Sequence, residues 1–228
     1  MAKYAKVMNS VSVENFLKNI FTLKEDEQKK ASTSILAERL GISGPAVTDM
    51  AKKLSLRGLI LYQPYKEIEL TDEGLKIAIR ILRRHRIWEM FLHQVLHMDL
   101  SEVHNEAELL EHQTSDALLH KIDQYLGSPE FDPHGDPIPK EDGSIRKHTN
   151  AQRMDKFKEG ETCQVVRLIY GSGDMQEYFT YYGITPNISF QVIKIFSIDQ
   201  SMEIEIENKT ITISLAVQQR IYCTTKTN

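Results

Sequence analysis

Cysteine is nearly absent. Cys163 and Cys223 are the only two in 228 residues, and neither falls in a CxxC or other zinc-type or redox-type spacing. That argues against a disulfide framework and a thiolate metal site, and leaves both thiols to the core. Long apolar runs are also missing. No segment approaches the roughly 18 consecutive apolar residues of a membrane span, and MAKYAKVMNSVSVENF holds no apolar stretch of signal-peptide length, so a cytoplasmic protein is expected. HExxH, which sets a general base between two zinc histidines, does not occur, and neither do the paired Glu-x-x-His motifs of di-iron bundles. YGSGDM falls short of a phosphate-cradling GxGxxG and reads as a turn between strands. No nucleophile, base and orienter stand together by spacing, and the chain is read as a non-enzyme.

What is present is ordinary in bulk and uneven in detail. With 26% charged and 41% hydrophobic residues, the chain suits one large soluble domain or two to three small ones. Its net charge of -4 hides an asymmetry: residues 1–90 carry 16 Lys and Arg against 11 Asp and Glu, a balance of +5 that leaves -9 for the rest. A basic front and an acidic rear imply two jobs.

Helical signals dominate the first half. Phe16, Leu17, Ile20 and Phe21 recur at helical spacing behind Ser12 and Glu14, giving a first helix to about Leu23. STSILAERL stops at Gly41. A further helix starts at Ser43 with Pro45 in its first turn and ends at Gly58. Two helices joined by Gly41, Ile42 and Ser43 have the layout of a helix-turn-helix, and LILYQ with KEIEL reads as a hairpin or wing around Pro64 and Tyr65. Thr71 caps a long helix to about Leu96; others are expected from Ser101 through His112 and from Ser115 to Leu126. Four of the seven prolines then cluster in PEFDPHGDPIP, marking a boundary. From Phe157 onward, alternating β-branched runs predict a small all-β module, an SH3-like barrel.

HNEAELLEH carries the chemistry. At 100° per residue, His104, Glu108, Glu111 and His112 fall in one stripe, while Glu106 points away and is read as solvated. His85 and Glu89 repeat the i, i+4 arrangement on the preceding helix. A row of Glu and His is usually a solvated face, and for His85 with Glu89 alone that reading has even standing. For the four-residue stripe a divalent cation is favoured, because it resolves the repulsion between neighbouring carboxylates and uses the imidazole lone pairs. Ligands without sulfur suit Mn²⁺, Fe²⁺ or Zn²⁺.

The order of parts, with SGPAVT, RRHR, HNEAELLEH and GDPIP, resembles the diphtheria toxin repressor family of metal-dependent regulators, its manganese branch included, across essentially the whole chain. The resemblance implies an α+β chain: a winged helix-turn-helix DNA-binding domain (1–74), an all-α metal-binding and dimerisation domain (75–140), a linker (141–156) and an FeoA-type SH3-like domain (157–228). It puts Glu108, Glu111 and His112, with Asn15 from helix one, on the family's primary metal site, and His85, Glu89 and His104 on the ancillary one. GDMQEYF is the stretch where the last domain would add ligands. Three positions depart from the iron-responsive branch. Glu108 replaces a cysteine, which favours Mn²⁺ without excluding Fe²⁺. Asn15 stands where related branches have Met or Asp. Asp132 and Asp136 occupy positions that help bind an anion there, and they disfavour an anion beside Arg86.

In the recognition helix Val47, Met50, Ala51 and Leu54 form the apolar face. Ser43, Pro45, Ala46, Thr48, Asp49, Lys52 and Lys53 face outward, and the wing adds Lys66. Lysines suit phosphates, Thr48 and Ala46 suit base edges, and Asp49 suits a cytosine amino group or solvent. Leu and Ile surfaces with Trp88 and Phe91 suit a two-fold interface, so the expected partners are a second copy and a palindromic operator. The expected function is repression of metal-uptake genes with Mn²⁺ or Fe²⁺ as co-repressor, two sites per chain. The ion would bridge helix one, at Asn15 with Glu14 beside it, to the HNEAELLEH helix and relieve repulsion between Glu108 and Glu111. The rival from another class is a metal-binding hydrolase or storage protein whose winged helix serves protein interaction; a third reading keeps the DNA reader and assigns an organic effector.

Overall fold

The computed structural model describes residues 11–26, 29–146, 148–170 and 173–226. The first ten residues of the expected DNA-binding domain lie outside these. Helix α1 (Val11–Phe21) buries Phe16, Leu17, Ile20 and Phe21 and runs into a π-helical turn, Thr22–Asp26. Helix α2 (Thr33–Leu40) starts at Ser32, whose hydroxyl accepts from the Ile35 N–H, and closes on Gly41 at φ 63°. Ser43 caps α3 (Gly44–Leu56) in the same way, with Pro45 in the first turn, where no helical hydrogen bond is lost. Strands β1 (Ile60–Leu61) and β2 (Glu69–Leu70) pair antiparallel, Ile60 opposite Leu70, and form the wing. Helices α4 (Asp72–Gln94), α5 (Leu100–Leu110) and α6 (Asp116–Tyr125) follow, the last capped by Ser115. Helix α5 starts one residue before the expected Ser101, and the Asp99 carbonyl accepts from the Glu102 and Val103 N–H groups. It closes at Leu110, yet the Glu111 N–H still bonds the Ala107 carbonyl at 2.9 Å, so Glu111 keeps its helical position.

The chain divides into two compact units. The first takes Met1–Trp88, Asn105–Ser128 and Ile138–Ile145. Its core gathers Phe16, Leu17 and Ile20 of α1 with Leu36, Val47, Leu54, Ile60 and Ala78. The wing is fastened to the start of α4: Thr71 Oγ1 donates to the Gly58 carbonyl at 2.7 Å and accepts from the Gly74 N–H. Gly74 is pressed so close that a Cβ would lie 2.0 Å from the Leu59 carbonyl oxygen.

The second unit takes Glu89–His104, Pro129–Pro137 and Arg146–Asn228. It holds an antiparallel sheet of β3 (Gln152–Arg153), β4 (Thr162–Leu168), β5 (Ser189–Ile195), β6 (Met202–Ile206), β7 (Lys209–Ile213) and β8 (Ile221–Thr225), in the order β3-β8-β4-β5-β6-β7. Register shifts at Val165/Arg167 and Val192/Lys194 bend it around Val165, Phe190, Val192, Ile204 and Ile213. Cys163 and Cys223 lie in that core, and burial pushes the Cys163 thiol up to about 12. The module is not wholly β. Gly173–Tyr182 is a helix, α7, where a strand-connecting turn was expected, and Leu215–Gln218 is a short α8. Met175, Tyr178 and Phe179 of α7 pack on the sheet at helical spacing, which the glycines before them obscure in sequence. Among the described residues, no helix is long and apolar enough to cross a membrane.

Candidate metal centre

Helix α1 packs its apolar stripe on the core and, on the adjoining stripe, buries Glu14 and Lys18, which are 7% and 6% exposed. Such groups need partners when they leave water, and they find them at the end of α5. Lys18 Nζ lies 2.5 Å from Glu108 Oε1 and 2.7 Å from Glu111 Oε1. Glu14 Oε2 lies 2.6 Å from His112 Nδ1. From α4, His85 Nδ1 reaches Glu111 Oε2 at 2.6 Å and stands 4.0 Å from Glu108 Oε1. Glu111 is fully enclosed, whereas the Glu108 side chain is 34% exposed and opens the cluster to solvent.

Two buried atoms on the contributing segments are unsatisfied. Asn15 Oδ1 is buried with no hydrogen-bond partner among the described residues, and so is His112 Nε2. His112 Nε2 approaches Glu111 Oε1 at 3.1 Å without hydrogen-bond alignment. Assigning the proton of a neutral His112 to Nδ1, where Glu14 accepts it, leaves a lone pair on Nε2 facing a carboxylate. A buried imidazole lone pair with no donor of its own, next to a carboxylate, suits a cation. The donors are carboxylate and amide oxygens with imidazole nitrogens, and ligand atoms of His85, Glu108 and Glu111 lie within 4.8 Å of one another. That set fits a divalent first-row ion.

The structure thus brings Glu108, Glu111 and His112 against helix α1 through Lys18 and Glu14, and sets His85 against Glu111; Asn15 follows Glu14 on that helix. Glu106 is exposed, as expected. The expected repulsion between Glu108 and Glu111 is relieved here by the Lys18 ammonium, which no local pattern flagged. Glu14, expected beside Asn15 as a second point at which an ion would bridge helix one, is instead a direct partner of His112.

In the second unit, Glu89 Oε1 lies 3.1 Å from His104 Nδ1 and 3.7 Å from His134 Nε2. Sequence reasoning passed over His134, although a histidine inside the proline cluster was a usable signal. It sits in a turn where the Asp132 carboxylate accepts the His134 and Asp136 N–H groups. Gly135 there, at φ 85°, leaves no room for a Cβ beside the Val166 carbonyl. Asp136 pairs with Arg167 at 2.5 Å, so both aspartates serve the turn. The ring of Tyr170 meets His134 edge-on at 4.6 Å; burial, then the charges of Asp132, Asp136 and Glu89, hold its hydroxyl protonated. Of the GDMQEYF stretch, Gln176 donates to the Leu100 carbonyl at 2.9 Å.

On α3, Val47, Ala51 and Leu54 are buried, while Ser43, Pro45, Ala46, Asp49, Lys52 and Lys53 are exposed and Thr48 is half-buried. The Ser43 hydroxyl accepts from the Ala46 N–H, and Asp49 pairs with Lys53 at 2.7 Å. Lys66 is exposed at the wing tip, next to Tyr65 at φ 65°.

Comparison with known proteins follows the same segments. Residues 8–68 match the profile of the iron dependent repressor N-terminal DNA binding domain. Residues 71–140 match the iron dependent repressor metal binding and dimerisation domain, and residues 152–225 match the FeoA domain. The diphtheria toxin repressor of Corynebacterium glutamicum is 34% identical over 128 residues, 56% of this chain and 56% of that protein. The iron-dependent repressor IdeR of Mycobacterium tuberculosis is 34% identical over 128 residues, 56% of this chain and 55% of the relative. The chain therefore spans little more than half the length of these curated relatives. A solved structure of a manganese-dependent transcriptional repressor in complex with manganese superposes with a TM-score of 0.85 at 34% identity, covering 94% of this chain and 100% of that one.

Proposed function

Because the chain belongs to the iron-dependent repressor family, we propose that it is a metal-dependent DNA-binding repressor that works as a homodimer and takes Mn²⁺ or Fe²⁺ as its co-repressor. Members of this family are transcriptional regulators, not enzymes, which sets aside the hydrolase reading. The observation that carries the metal assignment is His112 Nε2, buried without a hydrogen-bond partner among the described residues and 3.1 Å from Glu111 Oε1, next to the group formed by His85, Glu108 and Glu111. The ion is assigned to Asn15, Glu108, Glu111 and His112, with His85 against Glu111. Carboxylate and amide oxygens suit Mn²⁺ and Fe²⁺. A second ion is assigned to Glu89 and His104, with His134 beside them. The domain limits that go with this reading are 1–74, 75–140, 141–156 and 157–228.

Coupling to DNA follows from what α1 touches. Its polar stripe holds α5 and the residues that follow it through Glu14 and Lys18, and its apolar stripe packs in one core with Leu36 of α2 and Val47 and Leu54 of α3. An ion that ties Asn15 to Glu108, Glu111 and His112 fixes α1, and through that core it fixes the recognition helix. Metal shifts the population toward this arrangement by its differential affinity for it. Lys52, Lys53 and Lys66 then meet phosphates, and Ala46 and Thr48 meet base edges of a palindromic operator.

The test is retention of genomic DNA fragments selected with Mn²⁺, titrated with Mn²⁺, anaerobic Fe²⁺ and Zn²⁺ at matched free concentration and fixed salt. Wild type is expected to bind only with metal, and Glu108→Ala and His112→Ala to lose the response. Metal-independent binding by wild type, or wild-type metal dependence in both variants, overturns the reading.

A further inference from the structure

We propose that Lys18 is a tethered cation that competes with the divalent ion for Glu108 and Glu111 and so sets the metal concentration at which the chain responds. The inference rests on the metal assignment above and concerns a residue outside its ligand set. Lys18 Nζ bridges the two carboxylates within hydrogen-bond distance of both, at 2.5 and 2.7 Å. It does so from a side chain only 7% exposed, so the contact is built into the packing of α1.

A lysine ammonium between an enclosed carboxylate and a partly exposed one does without metal part of what metal does. It cancels one of the two negative charges and fastens α1 to α5. A divalent ion that takes oxygens of Glu108 and Glu111 meets a positive charge at hydrogen-bond distance from those oxygens, and must expel it or tolerate its repulsion. Expulsion has a route. The Glu108 side of the cluster is open to solvent, and a four-carbon stem can stay on apolar surface while its ammonium swings outward. The exchange takes place on one helix: Lys18 lies four residues from Glu14 and three from Asn15, so α1 gives up its Lys18 link to α5 as the ion takes hold through Asn15. The metal-free form is therefore a competing, charge-satisfied arrangement, and metal affinity is the difference between the two.

The experiment measures Mn²⁺ binding to the full chain from the electron paramagnetic resonance signal of free Mn²⁺, beside melting in chelator. Lys18→Met keeps the buried stem and removes the charge. It is expected to tighten Mn²⁺ binding at least about tenfold and to lower the melting temperature in chelator. Lys18→Arg retains the charge and is expected to stay within about threefold of wild type. If Lys18→Met folds only with metal, its affinity is read from the Mn²⁺ dependence of its melting temperature. Unchanged or weaker binding by folded Lys18→Met, or an equal gain in Lys18→Arg, overturns the role of Lys18, provided that His112→Ala still abolishes tight binding. Binding indifferent to His112→Ala and Glu111→Gln overturns the metal assignment itself.

Discussion

His112 Nδ1 stands 2.6 Å from Glu14 Oε2, a contact across 98 positions of the sequence. Under the proposed metal assignment the carboxylate would hold the proton on Nδ1 and leave Nε2 for the ion, the second partner that histidine ligands ordinarily have. Glu14→Gln keeps the shape and loses the charge. Its Mn²⁺ affinity, measured by calorimetry, is expected to fall roughly 10- to 100-fold. A change of less than about twofold would show that Glu14 does not orient His112 for an ion.

Asn15 supplies a sharper test, because its buried side-chain oxygen has no hydrogen-bond partner among the described residues. Asn15→Leu is expected to leave the melting temperature in chelator unchanged or slightly higher, since an unsatisfied buried acceptor is removed. The rise in melting temperature on adding Mn²⁺ should shrink markedly. A large loss of stability in chelator would indicate a structural role for the amide.

The third expectation concerns acid. The hydrogen bond from Arg84, with help from Arg80, holds the Asp116 carboxyl below its ordinary value of 3.8. A carboxyl depressed in the folded state adds stability above its unfolded pKa, and that stability is lost as pH falls through the folded value. Asp116→Asn should therefore melt slightly lower than wild type at neutral pH, with the gap closing as pH falls below the ordinary carboxyl value of 3.8. The effect is small because the Asp116 side chain is 65% exposed and solvent screens the pair. A gap that widens in acid would reverse the sign and rule out this account.

The parts that sequence disclosed are those with a local cause. Ser32, Ser43 and Ser115 cap helices within three residues of themselves, and the spacing of Glu108, Glu111 and His112 needs only one helix. What escaped notice depends on chain brought together from afar. Lys18 looks like any helix-face lysine until Glu108, 90 positions later, is set beside it. His85 was legible as a neighbour of Glu89 on its own helix, but its bond to Glu111 belongs to packing between helices. Helix α7 was missed for a different reason: its apolar spacing begins directly after GSG, and the glycines outweighed it.

The contact between Gly74 and Leu59 bears on where this chain can change over generations. No side chain can be added at Gly74 without pushing the Leu59 carbonyl away, and the Thr71 bond to Gly58 leaves little freedom beside it. The tip of the wing is free of such constraint: Gln63, Pro64, Tyr65 and Lys66 are all exposed. Drift, insertion and selection can rewrite the tip while its base stays geared to the helix that carries His85. A lineage can thus vary the wing tip without disturbing the helix on which the wing is anchored.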